Sequence, residues 1–305
     1  MSDSSAIEWT DATWNPVTGC TKVSQGCKNC YAERDWVRLS ANPKSVYYLR
    51  KFTDVAVHAD RLDQPGRWSK PRRIFVNSMS DLFHEDVPED FIARVWQRMA
   101  WNQQHIFQIL TKRPGRMLEW LTACGRDAVF AGEREEYEES ISLHGWPLRN
   151  VWLGVSVEDQ ATADERIRLL LQTPAAVRWI SAEPLLEYII VTPYFRSPFE
   201  SQSTWALDWV VAGGESGPAA RPSRPLWFRA LRKQCAEFRV PFFFKQWGEW
   251  IPSSDVPSGY ADTYSSETRG SRNRSQVVGD ELLVKVGKKA AGRLLDGRTH
   301  DEYPA

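Results

Sequence analysis

From residue 70 onward, short runs of β-branched and aromatic residues alternate with longer stretches of helical periodicity. Runs of the strand type occupy residues 72–78, 105–111, 150–156, 177–181, 207–213 and 240–246. Leu, Ile and Trp recur at spacings of three and four in the intervening PEDFIARVWQRMAWN, ADERIRLLLQT and RPLWFRALRKQCAEF. Together with an initial strand near Ala12 to Val17, this alternation predicts an α/β fold, a partial or complete (β/α) barrel of about six to seven parallel strands. A doubly wound open sheet is the alternative.

The length and charge of the chain suit one large domain with additions. We expect a barrel-like domain over residues 1–252, then a mobile Ser- and Arg-rich loop and a C-terminal extension packed on the barrel over residues 253–305. Lys and Arg number 39, as do Asp and Glu, so any contact with nucleic acid has to be local. The chain has no long apolar run and no secretory signal pattern at its N-terminus, which predicts a cytoplasmic location.

Three of the five cysteines, Cys20, Cys27 and Cys30, fall in one loop over residues 19–31. A chain of this length does not need disulfides, and clustered thiols in a reducing compartment indicate a metal. A structural zinc site wants four ligands and this loop supplies three, whereas an iron–sulfur cluster can leave one iron free to bind a small molecule. The loop therefore favours an iron–sulfur cluster, with zinc as the open alternative.

Polar residues follow nearly every predicted strand. Because βα loops converge at the carboxyl ends of parallel strands, these residues are expected to line one shared cavity. They are more numerous than turns require: Ser78, Ser80, Asp81, Lys112, Arg113, Ser156, Glu158, Ser181, Glu183, Glu215 and Lys245.

The cysteine loop resembles the cluster loop of radical S-adenosylmethionine (SAM) enzymes, although its first spacing is six residues rather than the usual three. A wider set of blocks resembles a phage-associated three-Cys-motif family, whose members are described only as phage proteins or as a domain of unknown function. These blocks are IEWTDATWNPVTGC with CKNCYAE, FVNSMSDLFH, LTKRP, GVSVE, SAEPLL, GGESGP, FFFKQWGEW and GKKAAGRLLDGR.

This resemblance implies a radical-SAM-type barrel with a 4Fe–4S cluster on Cys20, Cys27 and Cys30 and SAM as the second cofactor. It also implies a reductant such as flavodoxin or ferredoxin and, in some members, a three-Cys-motif partner protein. The predicted cofactor-binding residues are Tyr31, Ser78, Ser80, Asp81, Ser156, Glu158 and Ser181. The predicted catalytic residues are Lys112, Glu183, Glu215 and Lys245.

Local basic clusters at residues 67–73, 268–275 and 285–298 favour a nucleic acid, a nucleotide or a related molecule as the substrate. Trp247 and Trp250 follow the last predicted strand, where plain packing is the favoured role and stacking on a base is the alternative. The predicted activity is reductive cleavage of SAM followed by modification of that substrate. One alternative is a non-catalytic, metal-stabilised nucleic-acid-binding module. Another is a metal-independent hydrolase that uses one of the strand-end glutamates.

Overall fold

The computed structural model describes residues 5–130, 145–196, 205–257 and 275–305. The described strands are β1 Ala12–Trp14, β2 Val17–Thr18, β3 Ala56–Val57, β4 Arg73–Val76, β5 Ile106–Thr111, β6 Val151–Ser156, β7 Val177–Ala182, β8 Trp209–Gly213, β9 Phe242–Gln246, β10 Trp250–Pro252, β11 Ser275–Val278 and β12 Glu281–Lys285. Seven of these strands form a half-barrel sheet in the order β1-β4-β5-β6-β7-β8-β9. Each neighbouring pair is parallel, which confirms the predicted partial barrel.

Helices connect the strands and cover the outer face of the sheet. The described α-helices are α1 Tyr31–Ser40, α2 Glu89–Trp101, α3 Pro114–Trp120, α4 Arg126–Phe130, α5 Gln160–Gln172, α6 Pro225–Phe238 and α7 Lys288–Ala291. A π-helical turn joins α3 to α4, and short 3-10 helices lie at Gln25–Cys27, Ala59–Arg61, Pro65–Arg67, Thr192–Tyr194 and Ser253–Asp255. The three helical stretches expected from the sequence coincide with α2, α5 and α6. A capping box formed by Asp159 and Thr162 fixes the start of α5.

Residues along each strand alternate between the two faces of the sheet. In β6, Val151, Leu153 and Val155 join the large core beneath the helices. Trp152, the next residue along, belongs to a separate cluster on the inner face. The inner cluster comprises Trp9, Phe75, Trp152, Trp179, Trp209, Val211 and Phe243. It closes the amino-terminal end of the half-barrel with aromatic rings, because Trp152 and Trp209 lie near the starts of their strands.

One glycine makes room for this aromatic layer. A Cβ atom at Gly154 would lie 2.4 Å from the Trp179 indole, so no larger residue fits opposite that ring without a shift. Trp179 in turn packs against Trp9 and Trp209 with ring centroids 5.2 Å away in both cases. β6 therefore has a glycine at the position where the large Trp179 side chain of the neighbouring β7 fills the space.

The last residues of the chain cover the β9 edge of the sheet. The Phe244 amide donates to the His300 carbonyl at 2.9 Å, and Phe243 pairs with Asp301 in an antiparallel bridge. The pairing with β9 satisfies backbone groups that an open sheet edge would otherwise expose. Strands β10, β12 and β11 form a separate antiparallel sheet.

Several sequence expectations concern residues that the structure does not describe. The Ser- and Arg-rich segment 253–275 is described only to residue 257 and again from 275. The sequence also predicts a solvated acidic face at residues 133–140, which lie outside the described residues. It predicts an insertion between strands at residues 191–204, of which 197–204 lie outside them as well. In the described ranges, every helix is too short or too polar to cross a membrane.

Candidate functional site

The cysteine loop lies at the carboxyl end of the sheet and is fixed by backbone contacts on both sides of Cys20. The Gly19 amide donates to the Met79 carbonyl at 3.1 Å, and the Cys20 amide donates to the Phe52 carbonyl at 2.9 Å. Gly19 has a φ of +93°, and a Cβ atom there would lie 2.5 Å from the Asp54 carbonyl oxygen. Both the backbone angle and the close approach therefore require glycine before the first cysteine.

The three thiols line one small cavity. Cys20, Cys27 and Cys30 contribute to the wall of a space of about 140 Å³, which we call the thiol cavity. Burial raises the pKa of Cys20 to about 11, with the Asp81 carboxylate adding to the rise. Burial also raises the pKa of Cys30, although the backbone amides of Glu33 and Ala32 at the start of α1 donate to its sulfur and oppose the rise.

Arg113 provides positive charge beside the first thiol and ties three segments together. One of its Nη atoms lies 3.6 Å from Cys20 Sγ, and the other donates to Thr21 Oγ1 at 2.8 Å. Its Nε atom donates to both carboxylate oxygens of Glu85, at 3.0 and 3.1 Å. A guanidinium held in this way favours the thiolate form of Cys20, which is the form that binds metals.

Asp81 organises the wall behind Arg113. Its carboxylate accepts from Thr111 Oγ1 at 2.7 Å and from the Lys112 amide at 3.0 Å, and it pairs with Arg113 at 3.4 Å. Asp81 also accepts from the Phe83 amide at 3.0 Å. The side chain thus joins the segment after β4 to the end of β5.

Glu158 contacts the middle of the cysteine loop at Ser24 and Gly26. It is fully buried and pairs with Arg166 at 3.2 Å and with Lys112 at 3.4 Å. Ser24 Oγ donates to it at 2.9 Å, and a Cβ atom at Gly26 would lie 2.3 Å from its Oε1 atom. Two residues of the cysteine loop therefore rest directly on this carboxylate.

Glu215 anchors the other side of the loop. Its carboxylate accepts from Asn29 Nδ2 at 2.9 Å and from the Nε atom of Arg221 at 2.9 Å. Arg221 also donates to the Gln25 carbonyl at 3.0 Å. Burial alone would raise the pKa of Glu215, but the hydrogen bonds from Arg221 and Asn29 outweigh it and the pKa is lowered. Glu215 is therefore held as a carboxylate.

A larger cavity of about 440 Å³ adjoins the thiol cavity. The two cavities share the wall residues Cys27, Cys30, Tyr31, Phe75, Leu110, Lys112 and Ser156. Lys245 and Glu183 face each other at 3.2 Å in the larger cavity, and Ser181 Oγ donates to Glu183 at 3.2 Å. The Lys245 side chain is 17% exposed and the Glu183 side chain is 15% exposed, so both charges remain accessible from the cavity.

The structure brings most of the predicted site residues to these two cavities. Tyr31, Ser78, Ser80, Asp81, Lys112 and Ser156 line the thiol cavity, and Ser181, Glu183, Glu215 and Lys245 line the larger one. The Ser78 and Ser80 hydroxyls bond Asn15 and the Val17 carbonyl, and the Tyr31 hydroxyl donates to the Ser78 carbonyl. Glu158 lines neither cavity. The cofactor-binding and catalytic roles of these residues stay predictions.

Trp247 and Trp250 pack inside the protein, as the favoured role predicts, and do not present their rings to a base. They are 3% and 6% exposed, and their indole nitrogens donate to the Leu294 and Ala220 carbonyls. Trp247 also packs against Phe228 and Phe244 in the outer core. Both rings are therefore structural.

Sequence reasoning missed the residues that hold the cysteine loop from outside. Three of them, His84, Arg166 and Arg221, contact the loop or its carboxylate supports, and Ser24 and Asn29 are the loop residues that bond those carboxylates. His84 Nε2 lies 2.8 Å from Thr21 Oγ1, directly beside the first cysteine. The only signal in the sequence was Arg166, a charged residue on the otherwise apolar face of the helix that contains Ile167 and Leu170.

The donor chemistry of the thiol cavity fits an iron–sulfur cluster. Three thiols face one space, and the backbone amides at Cys30 and the Arg113 guanidinium at Cys20 oppose the rise in thiol pKa that burial causes. Over the described ranges, no group of three or more Cys, His, Asp or Glu side chains converges on a single ion. Three is the number of protein thiolates that a four-iron cluster needs when one of its irons is left free.

Comparison with solved structures finds distant likeness to spore photoproduct lyase. A cysteine-to-serine mutant of that protein has a TM-score of 0.42 at 12% sequence identity, with 94% of this chain and 71% of that chain covered. Another mutant, with bound AdoMet and dinucleoside spore photoproduct, has a TM-score of 0.39 at 11% identity, with coverage of 90% and 68%. Among curated proteins, no sequence matches significantly. The family model described as "Protein of unknown function (DUF5131)" matches residues 4–304, and the chain therefore belongs to this family.

Proposed function

We propose that this chain is a radical SAM-like iron–sulfur protein that cleaves SAM reductively and modifies a nucleic acid, a nucleotide or a related substrate. The observation that carries the proposal is the pairing of two cavities, one lined by three thiols and the other large enough for a nucleoside-sized ligand. The phage association and the three-Cys-motif partner protein stay predictions.

Cys20, Cys27 and Cys30 would hold a 4Fe–4S cluster in the thiol cavity. When bound and reduced, such a cluster supplies the electron for cleavage of the sulfonium bond and the radical chemistry that follows. Arg113 would offset the negative charge of the thiolates, and Phe52 and Phe75 in the same wall would limit the access of water. The chain's own tasks here are to fix the thiols and to keep the cavity dry.

Glu183 and Lys245 would bind the amino-acid end of SAM. Their charges complement an α-amino group and an α-carboxylate, and they lie in the cavity that shares a wall with the thiols. Ser156 and Ser181, at the ends of β6 and β7, add hydroxyl groups near that wall. Carboxyl ends of parallel strands are where barrel enzymes bind their ligands.

Two cations in the wall of the larger cavity would contact an anionic substrate such as a nucleotide or a nucleic acid, in competition with the carboxylates of Asp35 and Glu8 that pair with them. Arg34 and Lys288 line this cavity, and Lys288 belongs to one of the basic clusters seen in the sequence. Lys288 lies 3.4 Å from Glu8, with its side chain 44% exposed. Exposed cations at the mouth of a pocket attract phosphate groups.

Anaerobic reconstitution with iron and sulfide tests the proposal directly. We expect about four irons per chain in the wild type and 5′-deoxyadenosine after addition of a reductant and SAM. The Cys27→Ala variant should lose most of its iron and all cofactor cleavage.

The Cys235→Ala variant is the matched control, because it removes a buried thiol in α6 that lies outside both cavities. It should retain iron and cleavage. A wild-type protein that binds one zinc ion and never cleaves SAM would favour the non-catalytic, metal-stabilised binding module.

A further inference from the structure

An exposed apolar patch lies on the outside of the cysteine loop region. Val37 on α1 is 74% exposed, and Leu49 in the segment that follows α1 is 80% exposed. Val46 and Tyr48 in the same segment are 46% and 41% exposed. Single exposed apolar residues are common, but four within thirteen positions of one folded segment indicate a contact surface.

Backbone contacts hold Leu49 in an unfavourable conformation. Its φ is +58°, a value that residues with a branched side chain adopt only under constraint. The Leu49 amide donates to the Ser40 carbonyl at 3.1 Å, and Trp36 Nε1 donates to the Arg50 carbonyl at 2.8 Å. The turn therefore folds back on α1 and presents Leu49 outward instead of burying it.

Positive charge surrounds these apolar side chains. Residues 22–51 contain seven Lys and Arg and two Asp and Glu, whereas the whole chain is neutral. Lys28, Arg38, Lys44 and Lys51 are exposed, and within the described residues none of them forms an ion pair. We call the exposed set Lys28, Val37, Arg38, Lys44, Val46, Tyr48, Leu49 and Lys51 the α1 face.

Two aromatic rings connect the α1 face to the thiols. Trp36 packs edge-on against Phe52, with ring centroids 5.4 Å apart. Phe52 lines the thiol cavity, and its carbonyl accepts the Cys20 amide. The α1 face is therefore the outer surface of the same wall that encloses the cysteines.

We propose that the α1 face docks a small acidic one-electron carrier protein. This inference rests on the proposed function, since a cluster at the thiols has to be reduced. One electron leaves the carrier's reduced centre and enters the cluster, and no covalent bond forms or breaks. Complementary charge steers such a carrier to the wall nearest the thiols, and the aliphatic side chains supply the desolvated contact.

Nucleic acid fits the α1 face less well. The four cations of the α1 face and the single exposed ring of Tyr48 could contact a phosphate backbone, but Val37, Val46 and Leu49 would add little to such a contact. The combination of aliphatic and basic residues is typical of a protein partner with an acidic rim.

The test compares two matched charge reversals in the full-length protein. The double variant Arg38→Glu/Lys44→Glu alters the α1 face, and Arg168→Glu/Lys233→Glu alters exposed positions on α5 and α6. An acidic flavodoxin serves as the probe, and calorimetry measures its binding to the protein before and after reconstitution. The α1-face variant should raise Kd about tenfold or more at low salt, and the control should change it less than about twofold.

Leu49→Gly is a second variant that keeps the positive φ and removes the apolar side chain. It should also weaken flavodoxin binding, with no change in the melting temperature beyond a few degrees. With dithionite as the reductant, both α1-face variants should cleave SAM at the wild-type rate, while cleavage driven by reduced flavodoxin should fall.

Three outcomes overturn the docking inference. The first is a wild-type protein that does not bind flavodoxin, and the second is equal binding by the two charge reversals. The third is duplex DNA binding that the α1-face variant abolishes while flavodoxin binding persists. If dithionite drives no SAM cleavage in the wild type or in any of the variants, the proposed function is overturned instead. The calorimetry still tests docking in that case.

Discussion

At the amino-terminal end of the inner face, Trp152, Trp179 and Trp209 fill the half-barrel, whereas the carboxyl ends of the same strands carry Ser156, Ser181 and Gly213. Both sets follow from the same period-two alternation along β6, β7 and β8. Bulky rings close one end, and small or polar residues leave about 440 Å³ open at the other. Side-chain volume at a few inward positions therefore decides where the cavity lies.

The two ends also differ in what holds them together. The aromatic end relies on ring packing, as between Trp209 and Trp179 at 5.2 Å. The polar end relies on buried ion pairs such as Glu158 with Arg166 and Glu215 with Arg221. A buried ion pair adds little net stability to a protein. Removing only one partner is strongly destabilising, because it leaves the other charge buried and unpaired. We infer that the aromatic end supports the fold and that the ion pairs position the cysteine loop.

Replacing Trp209 with alanine should be the most destabilising change. Trp209 is fully buried, contacts the rings of Trp152, Trp179 and Tyr303, and donates through Nε1 to the Glu302 carbonyl. The free energy of unfolding should fall by about 3–5 kcal/mol, as measured by urea denaturation. Iron bound per folded chain should stay at the wild-type level. A proportionate loss of iron would show that the two ends are not independent.

The Glu158→Ala variant at the polar end should lower both stability and iron retention. The variant leaves Arg166 buried without its carboxylate and removes the acceptor for Ser24. We expect a loss of about 3 kcal/mol in unfolding free energy. Because the cysteine loop loses its support, iron should also dissociate faster during dialysis against a chelator.

The conservative Glu158→Gln variant separates charge from shape. It keeps an acceptor for Ser24 and should restore much of the iron retention while leaving Arg166 without a charge partner. Equal iron retention in the alanine variant and the wild type would contradict a positioning role for Glu158.

The fold was largely predictable because it depends on local patterns. The strand-type runs at residues 150–156 and 177–181 already identified β6 and β7. The set of cavity residues was also predictable, because parallel strands bring their carboxyl ends together. These inferences need only the order of elements along the chain.

Partnerships between distant residues were not predictable. A glutamate at a strand end looks the same in the sequence whether it faces a cavity, as Glu183 does, or a buried arginine, as Glu158 does. The contact between Ser24 and Glu158 joins residues 134 positions apart. Trp247 likewise became a core residue because α6 supplies Phe228 beside it, which no local pattern reveals.

Within the polar end, Glu183 should affect ligand binding more than folding. Glu183→Gln removes the charge that pairs with Lys245 in the larger cavity, where water can still reach both groups. Unfolding free energy should change by less than about 1 kcal/mol. If the pair binds the amino-acid end of SAM, Kd for SAM should rise about tenfold in equilibrium dialysis.

The Ser181→Ala variant is the graded control for Glu183. It removes one hydrogen bond to the carboxylate and leaves the charge in place, so its effect on Kd should be smaller. Unchanged SAM affinity in both Glu183→Gln and Lys245→Met would remove this pair from the proposed site.

The smallest expected effect concerns Asp296, which anchors the C-terminal segment to α6. Tyr303, later in that segment, packs against the ring of Trp209. Its carboxylate accepts from Arg229 and Arg232, both at 2.7 Å. Burial opposes ionisation, but these arginines outweigh it and lower the pKa of Asp296 from its usual 3.8. A lowered pKa in the folded state stabilises the protein above pH 3.8, and this contribution disappears as the pH falls through the folded value.

The Asp296→Asn variant isolates that contribution, since asparagine also tolerates the φ of +53° at this position. At pH 7 the variant should be less stable by no more than about 1 kcal/mol, because the side chain is partly exposed. Urea midpoints of variant and wild type should converge as the pH falls through the folded-state pKa of Asp296. If the difference in urea midpoint stayed constant with pH, the arginines would stabilise the segment through packing rather than through charge. Ion pairing would then contribute nothing to the stability of the aromatic end.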